Sequence, residues 1–204
     1  QRLGGPHSTV ALGMEWATMS NTPFRYFKQF TYEGGVSTPL IAHWPGGINS
    51  SLNGTFVREL SQLIDVVPTL LELTGTKYPA TYNGHELVPL SGRSFAPVCH
   101  GQRLGPRSAP LFWEHQGNRA IRTEGWKLVQ NWDHPWQLYD MSKDRSETKD
   151  VAAARPDMAF QLAAQWDTWA SKSYVDPWTD KYNSTVFRNG PRQNWGGAQR
   201  PRLP

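Results

Sequence analysis

Four short aromatic-rich segments, each followed by turn residues, constrain the fold of this chain more than any other feature. They lie between residues 110 and 140: Pro110–His115, Asn118–Arg122, Trp126–Asn131 and Trp136–Tyr139. Short β-prone segments separated by turns predict an antiparallel meander. The later segment Pro156–Ser171 places its apolar residues on one helical face and has proline in its first turn. We therefore predict a small α+β subdomain with an antiparallel sheet and one long helix.

The region before this subdomain predicts an α/β layer. Ser37–Trp44 is a short apolar run closed by Pro-Gly-Gly, which favours a buried strand. A second strand is predicted at Glu59–Ile64, and a helix over residues 65–75 has an aspartate to cap its start and a glycine for its exit. One continuous helix over residues 59–74 is the alternative, but Pro68 in its middle would cost about 3 kcal/mol. Strands followed by a helix indicate an α/β layer.

Composition divides the chain into three parts. Residues 4–21 have no clean period and indicate a loop, and Pro23–Phe30 predicts one or two helical turns. Residues 76–109 are rich in proline, glycine and serine and predict a long surface connection. The predicted parts are an α/β region, the α+β subdomain and an irregular basic tail, over residues 1–109, 110–176 and 177–204.

The net charge of +4 is located in the tail. Residues 177–204 hold five basic residues against one acidic residue, which accounts for the whole excess. The remainder of the chain is neutral, whereas a nucleic-acid surface needs a basic stripe on the fold itself. The pattern predicts a solvated terminus and no nucleic-acid partner. No run reaches the roughly 18 apolar residues of a membrane span, so no span is predicted.

Lys28 is the strongest candidate for a catalytic residue. It lies shortly before the turn Glu33-Gly34-Gly35. Its ammonium group is a compact point charge that, held over a pocket, could bind an anionic oxyester and stabilise charge on the leaving oxygen. On residue type alone, an exposed surface lysine is the commoner outcome.

Lys28 also belongs to a set of motifs that occur in one order along the chain. Lys28–Gly35 resembles the sulfatase segment K-x-x-x-x-E-G-G, and residues 65–75 are similar to that family's D-[ILV]-x-P-T-L-L-x-L-x-G helix. Trp113–Ala120 resembles the strand pair W-E-H-x-G-N-R-A, and Leu138–Glu147 resembles the hairpin L-Y-D-x-x-x-D-x-x-E. The set covers about residues 20–172. The chain therefore resembles the C-terminal portion of a sulfatase.

The resemblance implies both a fold and an activity. The implied fold is α/β: residues 1–109 would form the C-terminal part of an alkaline-phosphatase-like catalytic domain with its central sheet, followed by the subdomain. The implied activity is hydrolysis of sulfate esters, of small molecules or of glycans, at a formylglycine beside a calcium ion. Lys28 matches the family lysine that contacts the sulfate, which would make it catalytic and substrate-binding. The family also implies an extracytoplasmic location, periplasmic or secreted.

Several family features have no counterpart in these 204 residues. The nucleophile motif C-x-P-x-R and the aspartate-rich metal ligands are expected upstream of Lys28 and are not present. We therefore predict no metal ligands in this chain and no turnover by the chain alone. Cys99 has an arginine four residues later, but Gly101 replaces the required proline. A small semi-buried thiol is the preferred interpretation.

Other polar residues have two interpretations each. His115, at a strand edge, could lean towards the substrate, or it could be a hydrogen-bonded structural histidine that locks the subdomain. Asp140, Asp144 and Glu147 could bind a cation, but turn formation and capping are preferred. Asn118 is expected to brace the hairpin.

Two further functions stay open from the sequence. A phosphodiester or phosphonate hydrolase would share the scaffold, because fold does not fix chemistry. A non-catalytic glycan-binding module would need exposed aromatic rings, for which the candidates are Trp113, Trp126, Trp132 and Trp136.

Overall fold

The computed structural model describes residues 13–178. The α-helices of this part are α1 Gly13–Ser20, α2 Glu33–Val36, α3 Val66–Thr74, α4 Ala96–Cys99 and α5 Pro156–Lys172. The strands are β1 Thr81–Tyr82, β2 His85–Glu86, β3 Leu111–His115, β4 Asn118–Arg122, β5 Trp126–Gln130 and β6 Gln137–Asp140. Three 3₁₀ turns cover Ser50–Leu52, Leu63–Asp65 and Ala152–Ala154.

The described residues form two compact units. The first contains residues 13–38 and 109–178, and the second contains residues 39–108. Residues 13–38 group with the sheet of the first unit and not with residues 39–108. The assignment of residues 1–109 to a catalytic domain stays a prediction. The basic tail lies outside the described residues from residue 179 onward.

The first unit is built on the antiparallel sheet β3-β4-β5-β6, in sequence order. The predicted meander is confirmed. His115 pairs with Asn118 across a two-residue turn whose residues, Gln116 and Gly117, have φ angles of 53° and 79°. Two consecutive positive φ angles are typical of a type I′ turn, whose twist matches that of the flanking strands.

Helix α5 covers one face of this sheet, as predicted. One residue from each of β4, β5 and β6 packs against its apolar side, which includes Leu162 and Trp166; the strand residues are Ile121, Leu128 and Leu138. The Trp166 indole N–H also donates to the Trp113 carbonyl at 3.0 Å. Burying side chains of this size contributes about 1.5–3 kcal/mol each, so this interface is the main core of the unit.

The segment before and through α2 covers the opposite face of the sheet. The alternate strand residues Ala120, Val129 and Tyr139 pack there against Tyr32. Two predictions in this region are wrong. Residues 13–20 form helix α1 where a loop was expected, and Pro23–Phe30 forms turns without a helix. The latter segment contains positive φ angles, which interrupt a helix.

The second unit contains α3, α4 and the β1–β2 hairpin. Helix α3 confirms the predicted helix, and Gly75 ends it with φ 66°. Asp65 does not cap α3 with its side chain, contrary to expectation. Its buried carboxylate instead accepts from the Arg107 guanidinium at 2.6 and 3.0 Å and from the backbone N–H of Arg93 at 2.8 Å.

The two strand predictions between residues 37 and 64 are wrong. Neither Ser37–Trp44 nor Glu59–Ile64 forms a strand, and Ile41 is 91% exposed. A strand needs a neighbour for its backbone groups, and neither segment has one among residues 13–178. The long-helix alternative is also wrong, because α3 begins at Val66 after a 3₁₀ turn and so places Pro68 in its first turn. The fold class, mixed α/β with antiparallel sheets and one long C-terminal helix, is confirmed.

Candidate functional site around Lys28

Lys28 lies in an exposed turn between two residues with unusual backbone conformations. Tyr26 has φ 62° and Gln29 has φ 103°. Non-glycine residues in such regions cost of order 1–3 kcal/mol each, and the surrounding structure must hold them. The Lys28 side chain is exposed, and within residues 13–178 it forms no ion pair or side-chain hydrogen bond.

The two glycines of the Glu-Gly-Gly turn hold this loop by close backbone contact. A Cβ atom on Gly34 would lie 2.2 Å from the Arg25 carbonyl oxygen, and one on Gly35 would lie 1.9 Å from the Phe30 carbonyl oxygen. Gly34 also donates its N–H to the Arg25 carbonyl at 3.0 Å. The loop around Lys28 can therefore lie against α2 only because these two residues have no side chain.

Glu33, the acidic residue of the same turn, is fully buried in an ion cluster. Its carboxylate accepts from Arg122 at 2.9 Å and from the Lys127 ammonium at 3.0 Å. Lys127 has no exposed side-chain surface and also lies 2.8 Å from Glu147 Oε1. The Glu33 N–H donates to Glu147 Oε2 at 2.7 Å, and Arg145 reaches Glu33 at 3.4 Å. Strands β4 and β5 and the loop after β6 are thereby joined to the start of α2.

The two carboxyl groups of this cluster have opposite pKa shifts. Burial raises the pKa of Glu33, but the charges of Lys127 and Arg122 outweigh it and hold that pKa below its usual value. For Glu147, burial outweighs the Lys127 charge, and the nearby Glu33 adds to it, so the pKa of Glu147 is raised. Glu33 is therefore the carboxylate whose ionised form the cluster favours.

The Arg25 side chain also fixes the loop. Its guanidinium donates to the Tyr139 hydroxyl and to the Glu147 carbonyl, both at 2.9 Å, and lies 4.7 Å from the centre of the Tyr32 ring. Burial raises the pKa of both Tyr32 and Tyr139. The two phenols are thus neutral hydrogen-bonding groups at all ordinary pH values.

Asn118 ties the Lys28 loop to the end of the sheet. Its side-chain amide donates to the Gln29 carbonyl at 3.0 Å, and its side-chain oxygen accepts from the Trp132 backbone N–H at 3.1 Å. The Thr31 hydroxyl adds a bond to the Arg119 carbonyl at 3.0 Å. Asn118 was predicted only to brace the hairpin. Its bond to the Lys28 loop was not predicted, because it joins residues 89 positions apart in the sequence.

His115 is exposed at the end of β3, across from Asn118. Its side chain makes no hydrogen bond within the described part of the chain, so nothing there supports the interpretation of a hydrogen-bonded, locking histidine. Asn118 joins this hairpin end to Gln29, the neighbour of Lys28. A role of His115 at the substrate stays a prediction.

The acidic residues after β6 serve the fold. Asp140 accepts from the Ser142 N–H, and Asp144 accepts from the N–H groups of Thr148 and Lys149, as the turn interpretation predicted. Glu147 departs from that interpretation, because it belongs to the ion cluster. Across residues 13–178, no three His, Cys, Asp or Glu side chains come together as a metal site. These residues therefore do not fit a calcium ion.

Cys99 and three of the four candidate tryptophans pack within the fold. Cys99 is a buried free thiol at the end of α4, as the interpretation of a packing residue expects. Among the tryptophans proposed as a glycan platform, Trp126 and Trp136 pack against the α5 core and Trp113 packs against the Tyr32 cluster. Rings that are committed to two cores on opposite faces of a sheet cannot form one exposed platform.

Comparison with known proteins identifies the family. Residues 23–167 match the family model described as N-sulphoglucosamine sulphohydrolase, C-terminal. The chain belongs to this sulfatase family. It is 28% identical over 181 residues to an uncharacterized sulfatase of Schizosaccharomyces pombe, covering 86% of this chain and 32% of that protein. It is 27% identical over 172 residues to human arylsulfatase K, covering 80% of this chain and 31% of that protein.

A solved structure supports the same fold. A Bacteroides thetaiotaomicron protein, reported in connection with the metabolism of multiple glycosaminoglycans, matches with a TM-score of 0.58 at 21% identity, over 72% of this chain and 32% of that one. This likeness concerns the fold, and it agrees with the expected alkaline-phosphatase-like class. The chain spans about a third of the length of the curated relatives that it matches.

The buried ion cluster around Lys127 was not predicted from the sequence. Lys127 was not singled out, although it lies within the apolar strand Trp126–Gln130 and a lysine there signals a buried cation. Its partners, Glu33 and Glu147, were assigned to a turn and to capping. The sequence shows one lysine inside a strand, but not which distant carboxylates converge on it.

No α-helix in the described part is both long and apolar enough to cross a membrane.

Proposed function

We propose that the full-length protein carrying this chain hydrolyses organic sulfate esters. The observation that carries the proposal is the match of residues 23–167 to the sulfatase family. The substrate is a sulfated small molecule or a sulfated glycan, and the proposed location is extracytoplasmic, periplasmic or secreted. Human arylsulfatase K, a relative by sequence, supports an aryl sulfate as the first probe.

Lys28 is the proposed substrate contact of this chain. Its ammonium group would pair with an anionic sulfate oxygen and stabilise the charge that develops on the leaving oxygen. Two properties support this role. The lysine has no counter-ion of its own in the described part of the chain, and partly buried hydrogen bonds at Arg25 and Gln29 hold its loop. A lysine without a counter-ion whose backbone is held by neighbouring contacts is suited to bind an anion. His115 is proposed as a second, weaker contact at the neighbouring hairpin end.

The remaining catalytic groups are proposed to lie outside these 204 residues. The family resemblance implies a formylglycine nucleophile and a calcium ion. The 204-residue sequence lacks the nucleophile motif, and residues 13–178 bring together no set of ligands that fits calcium. The chain by itself is therefore expected to be inactive. Turnover of a sulfate ester by the purified 204-residue chain would contradict this division of roles.

The test is an assay of the full-length protein on an aryl sulfate such as p-nitrophenyl sulfate. Lys28→Ala should lower kcat/KM by about 10²- to 10³-fold, the effect of removing one charge-stabilising donor. Lys149→Ala removes another exposed lysine from the same unit and should leave kcat/KM unchanged. Full activity of Lys28→Ala would exclude Lys28 from the mechanism. Preference for the matching phosphonate ester over the sulfate ester would contradict the proposed activity itself.

A further inference from the structure

Asn118 occupies an unusual position relative to Lys28. Its amide nitrogen is 3.0 Å from the carbonyl oxygen of Gln29, the residue that directly follows the proposed sulfate-binding lysine. Gln29 has φ 103°, a conformation that L-residues rarely adopt, so an external contact is needed to hold its peptide. The Asn118 amide is a side-chain donor from the sheet to that peptide.

The other end of Asn118 is anchored on rigid structure. Its side-chain oxygen accepts from the Trp132 N–H at 3.1 Å, and its backbone pairs with His115 at the hairpin end. The Trp132 ring lies directly against Gly117, where a Cβ atom would be 2.3 Å from the ring. Asn118 is largely buried, and its amide donates one hydrogen bond and accepts another, so a flip of the amide would break both.

The Asn118 side chain connects the sheet to the backbone next to Lys28. The Lys28 side chain makes no bond within the described residues that would orient it, so its position depends on its backbone. A displacement of about 1 Å at a reacting group can reduce the rate about a hundredfold. Resting on the proposed sulfatase function, we infer that Asn118 is a positioning residue that holds the Lys28 ammonium against the sulfate through the Gln29 carbonyl.

The inference predicts that the effect of Asn118 passes through Lys28. In the full-length protein, Asn118→Ala should lower kcat/KM for p-nitrophenyl sulfate by about 10- to 100-fold. In a Lys28→Ala background the same change should alter kcat/KM by less than about twofold, because residues that act as a unit are not additive. Inhibition by inorganic sulfate should weaken in Asn118→Ala and show the same dependence on Lys28.

A matched control separates positioning from a general effect on the hairpin. The Gln130 side chain also donates to a backbone carbonyl, that of His134 at 2.8 Å, and it makes no hydrogen bond to the Lys28 loop. Gln130→Ala should therefore leave kcat/KM and sulfate inhibition at wild-type values.

A second variant covers the case in which Asn118→Ala does not fold. Asn118→Asp keeps an oxygen for the Trp132 N–H, but its carboxylate cannot donate to the Gln29 carbonyl until it is protonated. Its activity relative to wild type should therefore be low near neutral pH and should recover as the pH falls through the carboxyl range.

The outcomes separate this inference from the proposed function. Equal fold-losses from Asn118→Ala in both backgrounds, or a wild-type pH profile for Asn118→Asp, would overturn the positioning role while leaving Lys28 in the mechanism. A Lys28→Ala protein with full activity would overturn both, and that variant alone reveals it.

Discussion

Replacing Lys127 with methionine should destabilise the first unit strongly. The Lys127 ammonium is fully buried and lies 3.0 Å from Glu33 and 2.8 Å from Glu147. Methionine has a similar volume, so the change removes the charge without leaving a large cavity. Glu33 would keep Arg122 and Arg145, whereas the Glu147 carboxylate would keep, among residues 13–178, only the Glu33 N–H at 2.7 Å. Breaking a buried ion pair on one side costs about 3–5 kcal/mol.

Urea unfolding followed by tryptophan fluorescence can measure this loss. Trp44 is the only tryptophan between residues 39 and 108, so the signal reports mainly on the first unit. With a urea dependence of about 2 kcal/mol per molar, the midpoint should fall by about 1.5–2.5 M. Lys149→Met, at an exposed position, should shift the midpoint very little.

A second substitution tests the reason for the loss. If the cost arises from the stranded Glu147 carboxylate, then Lys127→Met combined with Glu147→Gln should be more stable than Lys127→Met alone. The penalty should also shrink as the pH falls, because protonation removes the unpaired charge. A loss below about 1 kcal/mol, or simple additivity of the two substitutions, would refute the assigned coupling.

Two other predictions follow from the same contacts. Gly35→Ala places a methyl group 1.9 Å from the Phe30 carbonyl oxygen and should destabilise the unit by about 1–3 kcal/mol in the same urea assay. Gly125→Ala meets open space and should be near neutral. Equal effects of the two substitutions would contradict the close approach at Gly35. Because the pKa of Glu33 is lowered on folding, its contribution is present above its unfolded pKa of about 4.3 and is lost as the pH falls through the lower folded pKa. Glu33→Gln should therefore flatten the dependence of the unfolding free energy on pH below about pH 4.3, and an unchanged acid limb would count against the ionised state of Glu33.

The sequence predicted those parts of the fold in which local pattern and tertiary packing agree. The meander was recognisable because its segments are short, aromatic-rich and separated by turns, and α5 because its apolar residues recur on one helical face. The same reasoning failed at Ser37–Trp44 and Glu59–Ile64, where apolar composition suggested strands but no neighbouring strand is available among the described residues. A strand is a property of a pair, and composition reports on only one member.

The candidate site was predictable only in part for a related reason. The family pattern pointed to Lys28, but the groups that fix its loop come from positions about 90 to 120 residues later in the chain. Neither Asn118 nor Arg25 shows a local sequence signal for such a contact. Gly34 and Gly35 predicted a turn, but the structure requires glycine there chiefly because the preceding loop lies so close to them.

The glutamate of the Lys28–Gly35 motif acts on a different lysine from the one that the motif begins with. Glu33 pairs with the buried Lys127 and not with Lys28, and Glu147 is committed to the same cluster. Glu33 and Glu147 are thus buried inside the unit, where they pair with Lys127. A lysine that is to bind an anion must have no carboxylate within a few ångströms, since a counter-ion would compete for its charge. Under the proposed function, the pairing of Glu33 and Glu147 within the ion cluster would leave the Lys28 ammonium available for a sulfate group.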